Sequence, residues 1–110
     1  MDDNLGLAAT VAICTHNGEG RLGFVLSSLV SQSLGATQWE ILVVDNASTD
    51  NTTQGCMKWK EISPVALRIV REDSPGLSYA RACAAKNAKG EIVCFLDDDT
   101  PAETDWLEQA

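Results

Sequence analysis

The sequence predicts an α/β fold with a doubly wound, mainly parallel sheet and flanking helices. Apolar runs of strand length alternate with segments whose apolar residues recur at helical spacing, in the order β-α-β-α-β-α-β-α. The chain has 110 residues and is 45% hydrophobic. That size and composition fit a single domain, 1–110, with one core.

The first half of the chain begins with an apolar strand between Leu7 and Thr15. Leucine and valine then recur at helical spacing over 21–34, and Gly35 is a suitable helix stop. A second apolar strand covers 39–44. It is followed by 45–50, which is rich in turn and N-cap residues.

The second half repeats this alternation. A second, more polar helix is predicted to about Lys60, followed by a third strand over 66–70. The segment 77–89 is alanine-rich and helical, and its small side chains allow a helix to lie close to a sheet. The run 92–96 is unbroken and apolar, which is typical of a strand buried on both faces. A fourth helix is predicted from Thr100, which is followed by Pro and, three positions on, by Glu.

Three adjacent carboxylates follow the fourth strand: Asp97, Asp98 and Asp99. Three like charges repel one another, and a counter-ion would relieve this. Hard oxygen ligands at this density suit Mg²⁺ or Mn²⁺, which takes further ligands from water and substrate phosphates. The alternative is a solvated acidic turn.

The other polar candidates also lie at strand ends. Thr15, His16 and Asn17 end the first strand, and Asp45 ends the second. In parallel α/β sheets, ligands bind beyond the carboxyl ends of the strands. The sequence therefore predicts a binding site at one edge of the sheet.

The charge composition limits the kinds of partner that the chain can bind. The formal charge is −8, from 8 basic and 16 acidic residues, with no basic stripe to neutralise phosphates. This argues against a nucleic-acid or anionic-membrane partner. The start of the chain, 1–4, is polar and is not a signal peptide, and no apolar stretch reaches membrane-spanning length. We expect a cytoplasmic protein, with any membrane association left to regions outside these residues.

The spacing of the cysteines indicates that the protein works in a reducing compartment. They are scattered without a Cys-x-x-Cys pair, which indicates small apolar side chains and not a disulfide frame or a zinc site. Their positions are Cys14, Cys56, Cys83 and Cys94.

Two enzyme classes are alternative interpretations of the acidic residues at this edge of the sheet. Residues 18–23 match the dinucleotide pattern G-x-G-x-x-G, with Asp45 ending the next strand, as in an oxidoreductase domain. However, three residues separate the first strand from Gly18, and the carboxylates would repel a pyrophosphate. A phosphatase using Asp97 as nucleophile would need its Thr one position after Thr100, and would carry this loop on its first strand.

Four ordered blocks point to a third class. The blocks are Val11–Asn17 (VAICTHN), Glu40–Asp50 (EILVVDNASTD), Gly76–Arg81 (GLSYAR) and Phe95–Asp99 (FLDDD). The chain resembles the N-terminal, nucleotide-binding half of a family 2 glycosyltransferase with the GT-A fold. The set spans most of the chain, and the acidic block resembles that family's Asp-x-Asp (DXD) motif.

The resemblance implies roles for the residues of the first two strand ends. Thr15, His16 and Asn17 would line the nucleotide base and ribose, with His16 standing where the family usually has an aromatic Tyr. Asp45 would accept a hydrogen bond from the base's ring N–H, as uracil offers. Its alternative is an N-cap for the second helix. His16 could equally be a surface turn residue.

The resemblance also implies roles near the phosphates. Arg81 would lie near base and phosphate, its alternative being a solvated helix residue. Asp99 would bind Mn²⁺ or Mg²⁺ together with Asp97, while Asp97 or Asp98 would meet the ribose or the waters of the metal. The donor would be a nucleoside-diphosphate sugar.

The implied activity is inverting, metal-dependent transfer of a sugar, of UDP type, to a saccharide, lipid or protein hydroxyl. The family's catalytic base lies in its second half, and no residue after Asp99 can be assigned to it. We therefore expect this chain to supply donor binding without efficient transfer, and to self-associate through an exposed sheet edge. A catalytically inactive nucleotide-binding module remains the non-enzyme alternative.

Overall fold

The structure is a computed structural model that describes residues 7–32, 35, 37–101, 103 and 106–107. Strands and helices alternate through them, which confirms the predicted α/β class. The elements are β1 (Ala9–Thr15), α1 (Leu22–Val30), β2 (Trp39–Asn46), α2 (Thr52–Ile62), β3 (Ala66–Glu72), α3 (Leu77–Asn87) and β4 (Ile92–Phe95). The predicted N-terminal segment 1–4 and the last residues of the first predicted helix, 33–34, lie outside the described residues.

The four strands form one parallel sheet in the order β3-β2-β1-β4. Thr15 at the end of β1 is in register with Asp45 of β2, and Ala12 of β1 is in register with Phe95 of β4. The strand order therefore reverses beside β1, because β2 and β3 lie on one side of it and β4 on the other. In open parallel sheets this reversal point is where a crevice opens at the carboxyl edge.

The core has two layers because successive strand residues point to opposite faces. On one face Val11 and Ile13 pack with α1 and α2. On the other face Ala12 packs with Ala80 and Ala84 of α3, and all three are fully buried. These small side chains let α3 approach the sheet closely, as the alanine stripe predicted. None of the described helices is long and apolar enough to cross a membrane.

The prediction that the fourth strand is buried on both faces is wrong. Ile92 and Phe95 of β4 are 56% and 45% exposed. An apolar run does not distinguish a central strand from an edge strand, and in this sheet β1 and β2 take the central positions. Self-association through this edge stays a prediction.

The predicted fourth helix is not seen in the part of its span that the structure describes. Residues 100, 101 and 103 are irregular, and 106–107 form a turn. The Gln32 side chain donates to the Glu103 carbonyl at 2.6 Å and accepts from the Leu107 amide at 2.9 Å. Leu107 is buried in the core. These contacts tie the segment to the end of α1, in place of the expected helix start.

The cysteines are free thiols, as the sequence indicated. Burial raises the pKa of the Cys56 thiol to about 11, with a smaller effect of the Asp45 charge. Burial also raises the pKa values of Cys14 and Cys94. These three thiols are therefore protonated at neutral pH.

A buried carboxylate pins the amino-terminal half of the sheet to the segment that follows α3. Glu40, only 1% exposed, accepts hydrogen bonds from Thr10 (2.7 Å), from Arg68 (2.8 and 3.1 Å) and from the Lys89 amide (2.9 Å). Arg68 also donates to the Asn87 carbonyl at 2.6 Å. Burial alone would raise the pKa of Glu40, but the hydrogen bonds outweigh it and the pKa lies below its usual range.

We predict that Glu40→Gln lowers the free energy of unfolding by about 3–5 kcal/mol, the usual effect of breaking a buried ion pair. Either orientation of the amide turns an NH₂ group toward a donor. The measurement is urea denaturation, with Glu61→Gln on the exposed face of α2 as the matched control. Equal denaturation midpoints for Glu40→Gln and the unaltered chain would contradict this prediction.

The same carboxylate predicts a pH dependence. Because the folded pKa of Glu40 is depressed, its contribution is fully present above the unfolded pKa of about 4.3 and is lost as pH falls through the folded pKa. The difference in unfolding free energy between the unaltered chain and Glu40→Gln should therefore shrink as pH falls below about 4.

Candidate functional site

Two adjoining clefts open at the carboxyl edge of the sheet, between β1 and the start of α3. The His16 cleft has a volume of about 380 Å³, and the acidic cleft about 280 Å³. Cys14 and Leu77 line both clefts, so the two meet. The His16 cleft is lined by Cys14, Thr15, His16, Asn46, Pro75, Gly76, Leu77 and Ala80, and the acidic cleft by Cys14, Leu77, Arg81, Phe95, Leu96, Asp97, Asp98 and Asp99.

Six of the eight predicted site residues line these clefts, and Asn17 and Asp45 do not. Thr15 and His16 line the His16 cleft, while Arg81 and the three Asp residues line the acidic cleft. The structure therefore brings these six side chains together at one edge of the sheet, and the prediction that this edge is the binding site stays a prediction. The functional role of each residue stays a prediction.

His16 is held by its neighbours in one tautomer. Its Nδ1 lies 2.7 Å from the Asn46 carbonyl oxygen, which can only accept, so Nδ1 carries the proton. Its Nε2 then accepts from the Asn17 side chain at 3.3 Å. The imidazole is exposed and forms part of the cleft wall, where a planar ring could stack on it.

Asn17 connects the loops that follow β1 and β2. It has a φ of 52°, in the left-handed region that Asn tolerates better than most residues. Its Oδ1 accepts from the Thr49 amide at 2.8 Å and the Asp50 amide at 3.3 Å. Its own amide donates to the Ser48 hydroxyl at 2.8 Å. The side chain thus shapes the loops behind the cleft wall.

Asp45 lies beneath the site and is 1% exposed. Its carboxylate accepts from the Ser48 amide at 3.3 Å and from the Thr53 hydroxyl, and Arg71 lies 3.6 Å away. The side chain therefore joins the end of β2 to the first turn of α2 through the Thr53 hydroxyl, whereas the Thr52 amide at the start of α2 donates to Asp50. The carboxylate has acceptor capacity left, but at 1% exposure a nucleotide base could reach it only if a neighbouring side chain moved.

Asn46 is a structural member of the site that the sequence analysis did not single out. Its Nδ2 donates to the carbonyls of Glu72 (3.1 Å) and Ser74 (2.8 Å), and its Oδ1 accepts from the Gly76 amide (3.0 Å). Gly76 has a φ of 130°, a conformation that favours glycine. Asn46 thus fixes the loop that leads into α3. The only signal in the sequence was its position after Asp45 at a strand end.

Arg81 brings a positive charge to the acidic cleft. Its guanidinium carbon lies 5.8 Å from the centre of the Phe95 ring, within cation–π range. Among the described residues it has no carboxylate in ion-pair contact. Asp97 and Asp99 are exposed in the same cleft. The cleft therefore combines a cation on α3 with carboxylates that follow β4.

The Asp98 side chain makes an ion pair and hydrogen bonds within the protein, unlike the exposed side chains of its two neighbours. Its Oδ2 accepts from the Thr15 hydroxyl at 2.8 Å and from Arg21 Nε at 3.0 Å, with Arg21 Nη2 at 2.9 Å. Arg21 also donates to the carbonyls of His16 (2.9 Å) and Asn17 (3.1 Å). One guanidinium thus joins the loop after β1 to the acidic turn after β4.

Comparison with known proteins places the chain in a family. The family model described as "Glycosyl transferase family 2" matches residues 10–110. This chain belongs to glycosyl transferase family 2. The match covers more than nine-tenths of the chain and confirms the resemblance carried by the four blocks.

Individual relatives agree with the family model. Poly(ribitol-phosphate) beta-N-acetylglucosaminyltransferase TarS of Staphylococcus aureus is 33% identical over 101 residues, 92% of this chain. The crystal structure of S. aureus TarS 1-349 in complex with UDP-GlcNAc has a TM-score of 0.83 at 31% identity and covers 94% of this chain and 30% of that one. The chain spans only 18% of the length of TarS.

A second solved structure extends the likeness to an enzyme from another organism. The mannosyltransferase PcManGT from Pyrobaculum calidifontis, in complex with GDP-Man and Mn²⁺, matches with a TM-score of 0.81 at 31% identity. It covers 91% of this chain and 30% of that one. The GT-A architecture expected from the sequence is therefore confirmed by similar structures of family members.

The donor atoms of this family 2 chain suit a cation that completes its coordination from a ligand. Among the described residues no three His, Cys, Asp or Glu side chains converge as a protein-only metal site would. Mg²⁺ is usually bound through one or two carboxylates together with substrate phosphates and water. Asp97 and Asp99, both exposed in the acidic cleft, supply carboxylates of that kind.

The G-x-G-x-x-G pattern has a different structural use here. The Gly18 amide donates to the Thr52 hydroxyl at 3.0 Å, and the Glu19 amide donates to Asp50 at 3.3 Å. A dinucleotide-binding loop instead directs such amides at a pyrophosphate. Together with family membership, this argues against the dinucleotide interpretation.

We predict that Asn17→Ala lowers the free energy of unfolding by about 0.5–1.5 kcal/mol, because the exposed amides of Thr49 and Asp50 exchange their protein acceptor for water. Asn17→Gly tolerates the same backbone conformation but also lacks the acceptor, so the pair separates side chain from backbone. Urea denaturation measures both variants. If Asn17→Gly matched the unaltered chain, the side-chain acceptor would have no role in stability.

Proposed function

We propose that this chain binds a nucleoside-diphosphate sugar across the two clefts and is the donor-binding part of an inverting, metal-dependent glycosyltransferase. The observation that carries the proposal is that Arg81, Asp97 and Asp99 line one cleft at the reversal point of the sheet, with no ion pair between Arg81 and either acid. Cationic and anionic groups that face the same space suit a diphosphate bound together with a divalent cation. Family membership gives the reaction class.

The His16 cleft would receive the base and ribose. Its volume, about 380 Å³, lies within the range of small-molecule sites. His16 offers a ring for stacking, and Pro75 and Leu77, which also line this cleft, offer apolar contact. These groups suit a flat heterocycle with an adjoining sugar.

The nucleotide is proposed to be of UDP type. The family resemblance pairs Asp45 with a ring N–H, and uracil carries such a donor. TarS has been crystallised with UDP-GlcNAc and PcManGT with GDP-Man. Guanine also carries a ring N–H, so the comparison of UDP with GDP belongs in the test.

The diphosphate would lie in the acidic cleft. Arg81 would donate to phosphate oxygens, while its contact with Phe95 limits the positions of the guanidinium. Asp99 and Asp97 would hold Mn²⁺ or Mg²⁺. Such a cation, when bound to the phosphates, offsets the negative charge that develops on the leaving group as the bond to the sugar breaks.

The acceptor would be a saccharide, lipid or protein hydroxyl, and inversion would require a base outside the residues assigned here. The role proposed for this chain in the reaction is donor binding. A measurement of nucleotide binding therefore tests it. Sugar transfer by a longer protein that contains this chain would contradict the alternative that the chain is a catalytically inactive module.

We predict that UDP binds this chain in the presence of Mn²⁺, and that Asp99→Asn weakens binding at least about tenfold, since a charged ligand group is lost. Isothermal titration with UDP, with and without Mn²⁺, is the measurement. GDP and NAD are the comparison ligands. Glu91→Gln, an exposed acid at the opposite end of β4, is the matched control.

Each outcome of this titration bears on the proposal. Metal-dependent UDP binding that is lost in Asp99→Asn and kept in Glu91→Gln supports it. Tighter binding of GDP would change the base assignment only. Metal-independent binding of NAD, or no binding of any of these nucleotides, would contradict donor binding by this chain.

We predict that Arg81→Ala weakens UDP·Mn²⁺ binding by about 10–150-fold, the equivalent of one charge-assisted hydrogen bond. Lys86→Ala is the control, because it removes one exposed positive charge from the same helix. Calorimetry at fixed Mn²⁺ measures both. An equal loss in the two variants would mean that Arg81 acts only through overall charge.

A further inference from the structure

We propose that Asp98 is not a ligand of the nucleotide or cation but a positioning residue, held by Thr15 and Arg21 so that Asp97 and Asp99 face the ligand. This inference rests on the proposed function and assigns different roles to the three adjacent carboxylates. Asp98, Thr15 and Arg21 are called the Asp98 clasp below. Arg21 carries no role in the sequence analysis.

The geometry separates Asp98 from its neighbours. Three donor atoms lie within 3.0 Å of its Oδ2: the Thr15 hydroxyl, Arg21 Nε and Arg21 Nη2. The Asp98 side chain is 17% exposed. Asp97 and Asp99 are both exposed, and Asp99 has a neutral hydroxyl contact from Thr100 at 3.1 Å. Oδ2, with three donors around it, has little capacity left to bind a cation. Whether Oδ1 of the same carboxylate binds one is what the comparison of Asp98→Asn with Asp99→Asn below decides.

The charges lead to the same assignment. Three adjacent carboxylates carry three negative charges, and the Arg21 guanidinium offsets the one on Asp98. Asp97 and Asp99 then present two negative charges, which match one divalent cation. Without Arg21, the acidic turn would carry an uncompensated charge next to the diphosphate of the ligand.

Arg21 also connects the two halves of the proposed site. Through the carbonyls of His16 and Asn17 it holds the loop beside the proposed base position, and through Asp98 it holds the turn beside the proposed cation position. The clasp therefore sets the distance between the groups that would meet the base and those that would meet the phosphates.

Gly18 is part of the same arrangement. A methyl group at this position would overlap the Thr15 hydroxyl oxygen, which donates to Asp98. The first glycine of the G-x-G-x-x-G pattern is thus explained by the space that the clasp needs. At Gly20 a methyl group would meet nothing within 4 Å.

The test compares the affinity of variants for Mn²⁺·UDP. Calorimetry and the electron paramagnetic resonance signal of Mn²⁺ measure that affinity. Asp98→Asn should lose clearly less affinity than Asp99→Asn, because its amide oxygen can still accept from Thr15 and Arg21, and only the charge that offsets Arg21 is lost. Asp99→Asn should lose at least about tenfold. Equal losses in these two variants would overturn the proposal, because Asp98 would then be a ligand.

Variants of Arg21 separate position from charge. Removing a positive charge beside a cation site should tighten Mn²⁺ binding if charge alone matters. We expect instead that Arg21→Ala weakens Mn²⁺·UDP binding at least fivefold, and that Arg21→Lys, which keeps the charge but not the two-pronged contact, also weakens it. Unchanged or tighter binding in Arg21→Ala would overturn the proposal. Lys60→Ala, at the exposed end of α2, is the control for charge.

A measurement without ligand keeps this inference separate from the proposed function. The Leu96 amide donates to the Ala12 carbonyl at 3.0 Å, where β4 leads into the acidic turn. Its hydrogen exchange, followed by NMR, should be at least fivefold faster in Arg21→Ala and unchanged in Lys60→Ala. Failure of the unaltered chain to bind UDP contradicts the proposed function alone. Equal exchange of Leu96 in Arg21→Ala and the unaltered chain overturns the clasp.

Discussion

The parallel pairing of β1 with β2 on one side and β4 on the other is the constraint on which the site depends. It brings the carboxyl ends of the strands to one edge and makes the connections on the two sides of β1 diverge. The loop after β1 can therefore contact both neighbours: Asn17 reaches the loop after β2, and Thr15 reaches the turn after β4. A different position for β4 would leave the acidic turn without these partners.

Buried acids in this sheet are each stabilised by an arginine. Glu40 pairs with Arg68 in the amino-terminal half of the sheet, while Asp45 lies 3.6 Å from Arg71 at the carboxyl edge. Asp98, partly buried, pairs with Arg21. A chain with a formal charge of −8 thus places much of its limited positive charge beside carboxylates that leave water. Asp97 and Asp99 have no arginine partner among the described residues. This makes them the acids suited to an external cation.

Much of the fold could be predicted because it depends on local periodicity. The strands, the three described helices and the edge that carries the polar residues follow from the spacing of apolar side chains. The exposure of β4 could not be predicted, since Ile92 and Phe95 look the same in a central or an edge strand. The burial of Asp45 and the contacts of Asn46 arise from residues 8–30 positions away. Arg21 likewise meets Asp98 only through the strand order.

The junction of the two clefts sets a further condition on the ligand. Cys14 and Leu77 line both clefts, so a ligand that spans them passes over an apolar surface between a stacking ring and a charged turn. Burial raises the pKa of the Cys14 thiol, more than the nearby Arg81 charge lowers it, and the sulfur therefore stays neutral. A thiolate here would repel a diphosphate. In the proposed complex, a neutral thiol between His16 and the acidic turn would leave Arg81, and the cation proposed to bind at Asp97 and Asp99, to determine the charge that the ligand meets.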